Sequence, residues 1–269
     1  MKKVVVLIPM FNHADLTDKC VEYVLKNAGI PVRIVVIDDG SERPYSNSLT
    51  ETIRIPNNSG FTKAVNEGLR ALRLDYDYVL VLNNDAEGQP DFVKSLVELA
   101  ESDKRIGVVG STRIGSWEPY REAAGGADLT TGLVYASQEK DAFKEPVQCV
   151  WFPFCSVLLS KDCVEMTGLL DEKMRNHNSD NDYCLRAIFQ EFAVVVEPKS
   201  KVFHHQSCTW LPMGITPYAD QKIFASKWFG AAMNEILGAI PINQQMGKWG
   251  KLEFHYEEKE TEKVPEIIV

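Results

Sequence analysis

Val79 to Gly88 reads VLVLNNDAEG, and the architecture of the chain turns on how that stretch is interpreted. Four apolar residues stop at Asn83, Asn84 and Asp85, with Glu87 two positions further on. An apolar run without polar alternation fits a strand buried on both faces, as in parallel sheets covered by helices. The same texture recurs outward in both directions: KVVVLIP at 3–9, RIVVIDD at 33–39, IGVVGS at 106–111 and FAVVVEP at 192–198, with KVFHH at 201–205 as a further strand. Between these runs, Leu16 to Lys26, Phe61 to Leu72, Lys161 to Thr167 and Asp180 to Gln190 have helical spacing, and Pro90 stands where a first-turn proline would open a helix over DFVKSLVELAES. Thr52 to Ile55 reads as a short extended piece, and 112–146, rich in Gly, Trp and Tyr, as hairpins or an ordered insertion. Strands alternating with amphipathic helices imply an α/β domain with a mainly parallel sheet. Ligands of such sheets gather beyond the carboxyl ends of the strands, so strand ends are the places to search.

Composition narrows the function. The chain has 269 residues, 45% of them hydrophobic, enough to bury a large core, and its net charge of -9 opposes binding driven by polyanion attraction. Nucleic acid is thus disfavoured as a partner, although a local basic groove stays open. The opening MKKVVVLIPMFNHAD imitates a signal peptide, but Pro9, Asn12, His13 and Asp15 interrupt the apolar region, and a first strand is the better reading. The six cysteines form no C-x-x-C pair, which fits reduced, buried thiols in a cytoplasmic protein. No stretch reaches the roughly 18 consecutive apolar residues of a membrane span. Ile223 to Ile242 comes nearest, interrupted by Lys227, Asn234 and Glu235; as a helix it would pack on the core, dimerise or touch the inner face of a membrane. One domain is expected over 1–240, halved at 111/112, followed by a charged tail at 241–269.

Polar clusters stand at several strand ends. In VVIDDGS, Asp38 and Asp39 could accept hydrogen bonds from a nucleobase or ribose, or merely cap a polar turn. In NNSGFTKAVNEGL, Gly60 precedes a helix whose N-terminal amides could meet an anion with help from Lys63, or be capped in the ordinary way. Asp85 supplies a hard oxygen ligand of the kind Mg2+ and Mn2+ take beside substrate phosphates, with Glu87 as a doubtful second. Asp180 and Asp182 open a helix, where the dipole stabilises acids, and either could act as general base. His204 and His205 end a strand, where imidazole binds metal or phosphate or simply hydrogen-bonds in a loop.

Taken in order over about residues 3–230, these pieces resemble the family 2 glycosyltransferases of the GT-A fold, especially the bacterial rhamnosyltransferase-like branch. The IPMFN turn, with Pro9 and Asn12, matches the family's opening element, and DDGS its nucleotide-binding acids, with Asp39 the better candidate for the base edge and Asp38 its neighbour. Gly60 and Asn66 fall in the N-x-G-F-x-x-A-x-N-x-G element, beside Lys63, while LNND aligns Asn84 and Asp85 with the metal-binding D-x-D equivalent. TGLLDEKM and SDNDYCLR look like the stretch that carries the catalytic base, which falls on Asp180; Ser179 replaces the usual Glu. VFHH makes His204 the likelier metal or diphosphate contact, and KWFG, Lys227 to Gly230, follows a long helix as in the family.

The resemblance implies a Rossmann-like nucleotide-binding half with a mostly parallel central sheet flanked by helices, and a mixed acceptor-side region. It implies an inverting, Mn2+- or Mg2+-dependent transfer from a nucleotide-diphosphate sugar to an acceptor glycan, lipid-linked sugar, protein or other hydroxyl compound. Trp and Tyr residues between Ile114 and Tyr135, with Trp151, Phe152 and Trp210, are candidate platforms for that acceptor, or hairpin packing. A nucleotidyltransferase ranks lower, because PMFNHAD is not a Gly-rich, basic triphosphate loop. A binding domain without turnover is the non-enzymatic alternative.

Overall fold

Valine-rich strands with no polar face must be covered on both sides, and they are. The computed structural model describes residues 2–115, 122–126, 134–137, 141, 143–205 and 218–228. In chain order it runs β1 (Val4–Met10), α1 (Ala14–Asn27), β2 (Arg33–Asp39), β3 (Glu51–Ile55), α2 (Phe61–Leu72), β4 (Tyr78–Leu82), β5 (Ala86–Gly88), α3 (Phe92–Ser102), β6 (Ile106–Gly115), β7 (Glu122–Gly126), β8 (Val134–Ser137), β9 (Val147–Gln148), β10 (Ser156–Ser160), α4 (Lys161–Thr167), α5 (Ser179–Phe189), β11 (Ala193–His204) and α6 (Tyr218–Trp228).

Eleven described strands share one sheet in the order β3-β2-β1-β4-β10-β6-β11-β5, with β7 on β6, β8 on β7 and β9 on β11. The first four are parallel. β10 is antiparallel to both neighbours, β4 and β6, while β11 is parallel to β6. The sheet is therefore parallel in its first half and mixed in its second. The reversal at β10 matters, because its first residue, Ser156, pairs with Leu82, the last of β4. The segment entering β10 therefore lies at the same edge as the carboxyl ends of β1, β2 and β4.

Side-chain alternation divides the core between the two faces. Val4, Val6, Ile8, Val36, Leu80 and Leu82 pack with Cys20, Val24, Phe92 and Leu96 of α1 and α3. Val5, Leu7, Val35, Ile37, Val79 and Val81 pack with Val65 and Leu69 of α2 and Tyr183 and Cys184 of α5. The approach of α2 is close enough that a Cβ on Gly68 would lie 2.5 Å from a Leu7 methyl. Truncating a fully buried residue such as Leu80 to alanine would cost about 2–5 kcal/mol.

Several boundaries differ from the expectations. α3 begins at Phe92 behind Asp91, whose φ is 62°, so Pro90 lies before the cap and not in the first turn. The two strands expected at 192–198 and 201–205 form one, β11; a register shift between Glu197 and Lys201 absorbs Pro198, which cannot donate to a regular ladder. The three-residue β5, too short to carry a periodic signal, pairs antiparallel with the end of β11. α6 covers the start of the helix expected from Ile223, and its Phe224 and Trp228 pack on Met174 and Leu185 as core. The rest of that helix, the tail at 241–269, Cys208, Trp210, Gly230 and most of the aromatic stretch from Ile114 to Tyr135 lie outside the described residues. No described helix is long and apolar enough to cross a membrane.

Candidate functional site

At the end of β2, two adjacent carboxylates are consumed by the local backbone. Asp38, fully buried, accepts the Ser41 amide at 2.9 Å and the Tyr45 amide at 3.1 Å, and pairs with the Arg54 guanidinium. Burial pushes its pKa up, but the hydrogen bonds from Ser41, Tyr45 and Arg54 outweigh that and hold it below the ordinary value. Asp39 accepts from the Ser59 amide at 2.8 Å, the Ser59 hydroxyl at 2.6 Å, the Gly60 amide at 2.8 Å and the Asn58 side chain at 3.1 Å. Burial dominates here and raises its pKa, with the Ser59 and Gly60 bonds and Arg175 pulling the other way. A carboxylate has about four lone-pair directions, and Asp39 spends them on its own loop. To read a base edge, Asp39 would have to exchange some of those donors for the base. Gly40, φ 76°, makes the turn possible, since a Cβ there would lie 2.5 Å from the Asn57 carbonyl carbon.

The N-terminus of α2 is occupied in the same way. The Gly60 amide goes to Asp39, the Phe61 amide to Asn176 Oδ1 at 3.1 Å and the Thr62 amide to the Arg175 carbonyl at 3.0 Å. These three amides are bonded within the chain, and Lys63 is exposed. Asn66, fully buried, exchanges hydrogen bonds with Leu170 and reaches Glu172, tying α2 to the turn before α5. Pro9 is buried within β1, paired to Ile37, and Asn12 locks the Ser41–Glu42 turn through its amide and side chain.

The end of β4 is different. Asn83 donates its amide to the Cys155 carbonyl at 2.9 Å, and Asn84 donates its side chain to Thr17 of α1 at 3.1 Å, so the two asparagines hold the turn. Asp85, 8% exposed, is left at the crevice. The pairing of β5 with β11 places Ala86 opposite His204, and His204 Nε2 meets Asp85 Oδ1 at 3.1 Å and the Asn83 side chain at 3.0 Å. Its Nδ1 is buried without a hydrogen-bond partner among the described residues. Glu87 meets His205 at 2.7 Å, and both side chains are more exposed than the Asp85–His204 pair. No group of three or more ligating side chains occurs among the described residues. Asp85 and His204 nevertheless fit a Mg2+ or Mn2+ ion that takes its remaining ligands from a diphosphate and water.

Asp180 approaches from the other side. It lies in the first turn of α5, partly exposed, accepting the Asn181 amide at 2.9 Å and the Phe154 amide at a long 3.4 Å. Burial raises its pKa, opposed by these amides and by nearby His177. Phe154 and Cys155 therefore bridge the two acids: one amide faces Asp180, and the next carbonyl holds Asn83, two residues before Asp85. Asp182, by contrast, is fully buried and bound by Arg186 at 2.8 Å and Trp228 at 2.9 Å, which makes it a packing residue. Sequence reasoning missed Arg54, Arg175 and Asp220; nothing in their local pattern marks them, since each acts on a distant segment.

With the geometry in place, the comparisons are direct. The chain matches the Glycosyl transferase family 2 model over residues 5–161, more than half its length, and belongs to that family. Its structure is similar to the crystal structure of GalNAc-T7 with UDP, GalNAc and Mn2+, with a TM-score of 0.66 and 15% sequence identity over 87% of this chain and 49% of that one. The likeness establishes the GT-A fold, and the chain spans about half the length of that structure. No curated protein matches it by sequence.

Proposed function

We propose that the protein is an inverting, metal-dependent glycosyltransferase that moves a sugar from a nucleotide-diphosphate donor to an acceptor hydroxyl, nearest in its ordered motifs to the rhamnosyltransferase-like branch of family 2. One observation carries the reading: Asp180 and the Asp85–His204 pair flank a single short segment, Phe154–Cys155. Asp180 takes the proton of the acceptor hydroxyl as that oxygen attacks the anomeric carbon. The bond to the diphosphate oxygen breaks on the opposite face, and its electron pair leaves with the diphosphate, inverting the centre. Asp85 and His204 would hold a divalent ion, which would offset charge on the departing diphosphate. The raised pKa of Asp180 suits a base that must accept a proton near neutral pH. Ser179, in the family's Glu position, is buried and accepts a hydrogen bond from Thr62 at 2.8 Å, so the departure leaves no unsatisfied group.

The UDP, GalNAc and Mn2+ of the similar structure support this choice of donor and metal. The acceptor is a glycan, a lipid-linked sugar, a protein or another hydroxyl compound. The five described cysteines are free and buried, which favours a cytoplasmic setting with any membrane contact peripheral. The test is a calorimetric screen of UDP-glucose, GDP-mannose and dTDP-rhamnose with and without Mn2+, followed by NMR of the released sugar. Mn2+-dependent binding of one donor, with an inverted product anomer, is expected. A retained anomer, or binding indifferent to Mn2+, contradicts it.

A further inference from the structure

We propose that α6 braces the acceptor side of the site and that Asp220, in its first turn, is a positioning residue for Asp180. The inference rests on the reading of Asp180 as the base. Asp220 is 7% exposed and accepts the successive backbone amides of Arg175 at 3.0 Å, Asn176 at 2.8 Å and His177 at 2.8 Å. That turn leads through Asn178, φ 61°, directly into Ser179 and Asp180. It also reaches the donor half. The Arg175 carbonyl and Asn176 side chain cap α2, and the Arg175 guanidinium donates to Asn58 Oδ1 at 2.6 Å, beside the clamp on Asp39.

The far end of α6 is held as well. Trp228 Nε1 donates to Asp182 at 2.9 Å, while Lys227 pairs with Asp182 at 2.6 Å and with Asp171 at 2.9 Å. Helix α6 thus grips the chain before Asp180, at its approach and just after it. Apolar docking through Phe224 and Trp228 would attach the helix without burying a carboxylate. Burying one costs free energy unless donors compensate it, and these donors are three successive amides of the turn that sets the base. The arrangement fixes a geometry rather than adding adhesion.

Because Asp220 acts through Asp180, its removal should cost turnover only while Asp180 is present. Asp220→Asn keeps the shape but presents an NH2 group to an amide. Displacing a catalytic group by about 1 Å can cost about a hundredfold. In Mn2+-dependent hydrolysis of whichever of UDP-glucose, GDP-mannose or dTDP-rhamnose binds, kcat of Asp220→Asn should fall about 10- to 100-fold with donor KM little changed. The double variant with Asp180→Asn should be no slower than Asp180→Asn alone. If the Asn variant does not fold, Asp220→Glu, which shifts the acceptor by one methylene, is read in the same cycle. Additive losses, or a lowered Tm with unchanged kcat, overturn the brace while leaving the base intact. A wild-type rate in Asp180→Asn overturns the base assignment, and this inference with it.

Discussion

The carboxylates at the end of β2 and those around Phe154–Cys155 sit at the same edge of one sheet yet are built for opposite purposes. Asp38 and Asp39 are surrounded by amides, hydroxyls and a guanidinium from their own loops, whereas Asp180 has two amides, one of them at 3.4 Å, and Asp85 meets an imidazole whose other nitrogen is orphaned. Saturated acids hold a backbone in place. Asp180, partly exposed with one long amide contact at 3.4 Å, is held less tightly. A strand-end position alone therefore does not identify a ligand-binding acid.

The largest effect that would sharpen this contrast is on turnover. Asp180→Asn should lower the rate about 10²- to 10⁴-fold, the usual range for a lost general base, with donor binding by calorimetry intact. Retention of the rate would erase the difference between the two pairs. The pH dependence follows from the same burial. Because the folded pKa of Asp180 is raised, its charged form costs stability at neutral pH and that cost lifts as pH falls; as a base it must be ionised, so the acid limb of the rate profile should lie above the ordinary carboxylate range. Asp38 behaves inversely. Its folded pKa is lowered, so its stabilisation is present above the unfolded value, about 3.9, and is lost as pH falls through the folded one. Acid unfolding followed by circular dichroism should begin at a higher pH in Asp38→Asn.

Next in size, Asp85→Ala should abolish the Mn2+-dependent part of donor-induced stabilisation. In the wild type that part amounts to about 2.7 kcal/mol at a hundredfold excess over Kd. A thermal shift with unaltered metal dependence would break the Asp85 assignment. Asp38→Asn should cost about 2 kcal/mol by stranding buried donors, with Arg54, about a third exposed, recovering part of its hydration. The smallest effect belongs to Lys63→Ala, which should change donor affinity by less than about 1 kcal/mol, because Lys63 is exposed and the amides it was expected to assist are already bonded.

Much of this was legible in the sequence because it is short-ranged. Apolar runs marked β1, β2 and β4, the last two ending in acids, and helical periodicity marked α1, α2 and α4 within a few residues. What could not be read was which polar atoms were already committed. Asn66 is bonded to Leu170 and Asn84 to Thr17; both partners come from distant segments fixed only by packing. The meeting of His204 with Asp85 depends on β5, a strand of three residues, and on β11 running through Pro198. Asp220 carries no local signal because its targets are backbone amides more than forty residues away.

The most direct test sets Asp38→Asn beside Asp180→Asn and reads Tm and turnover at saturating donor and Mn2+ on the same preparations. The account predicts a crossing: Asp38→Asn loses about 4–8 °C of Tm and keeps turnover, while Asp180→Asn keeps or gains Tm and loses turnover by at least about a hundredfold. Parallel losses in both variants, or an Asp180→Asn enzyme as fast as the wild type, would contradict it.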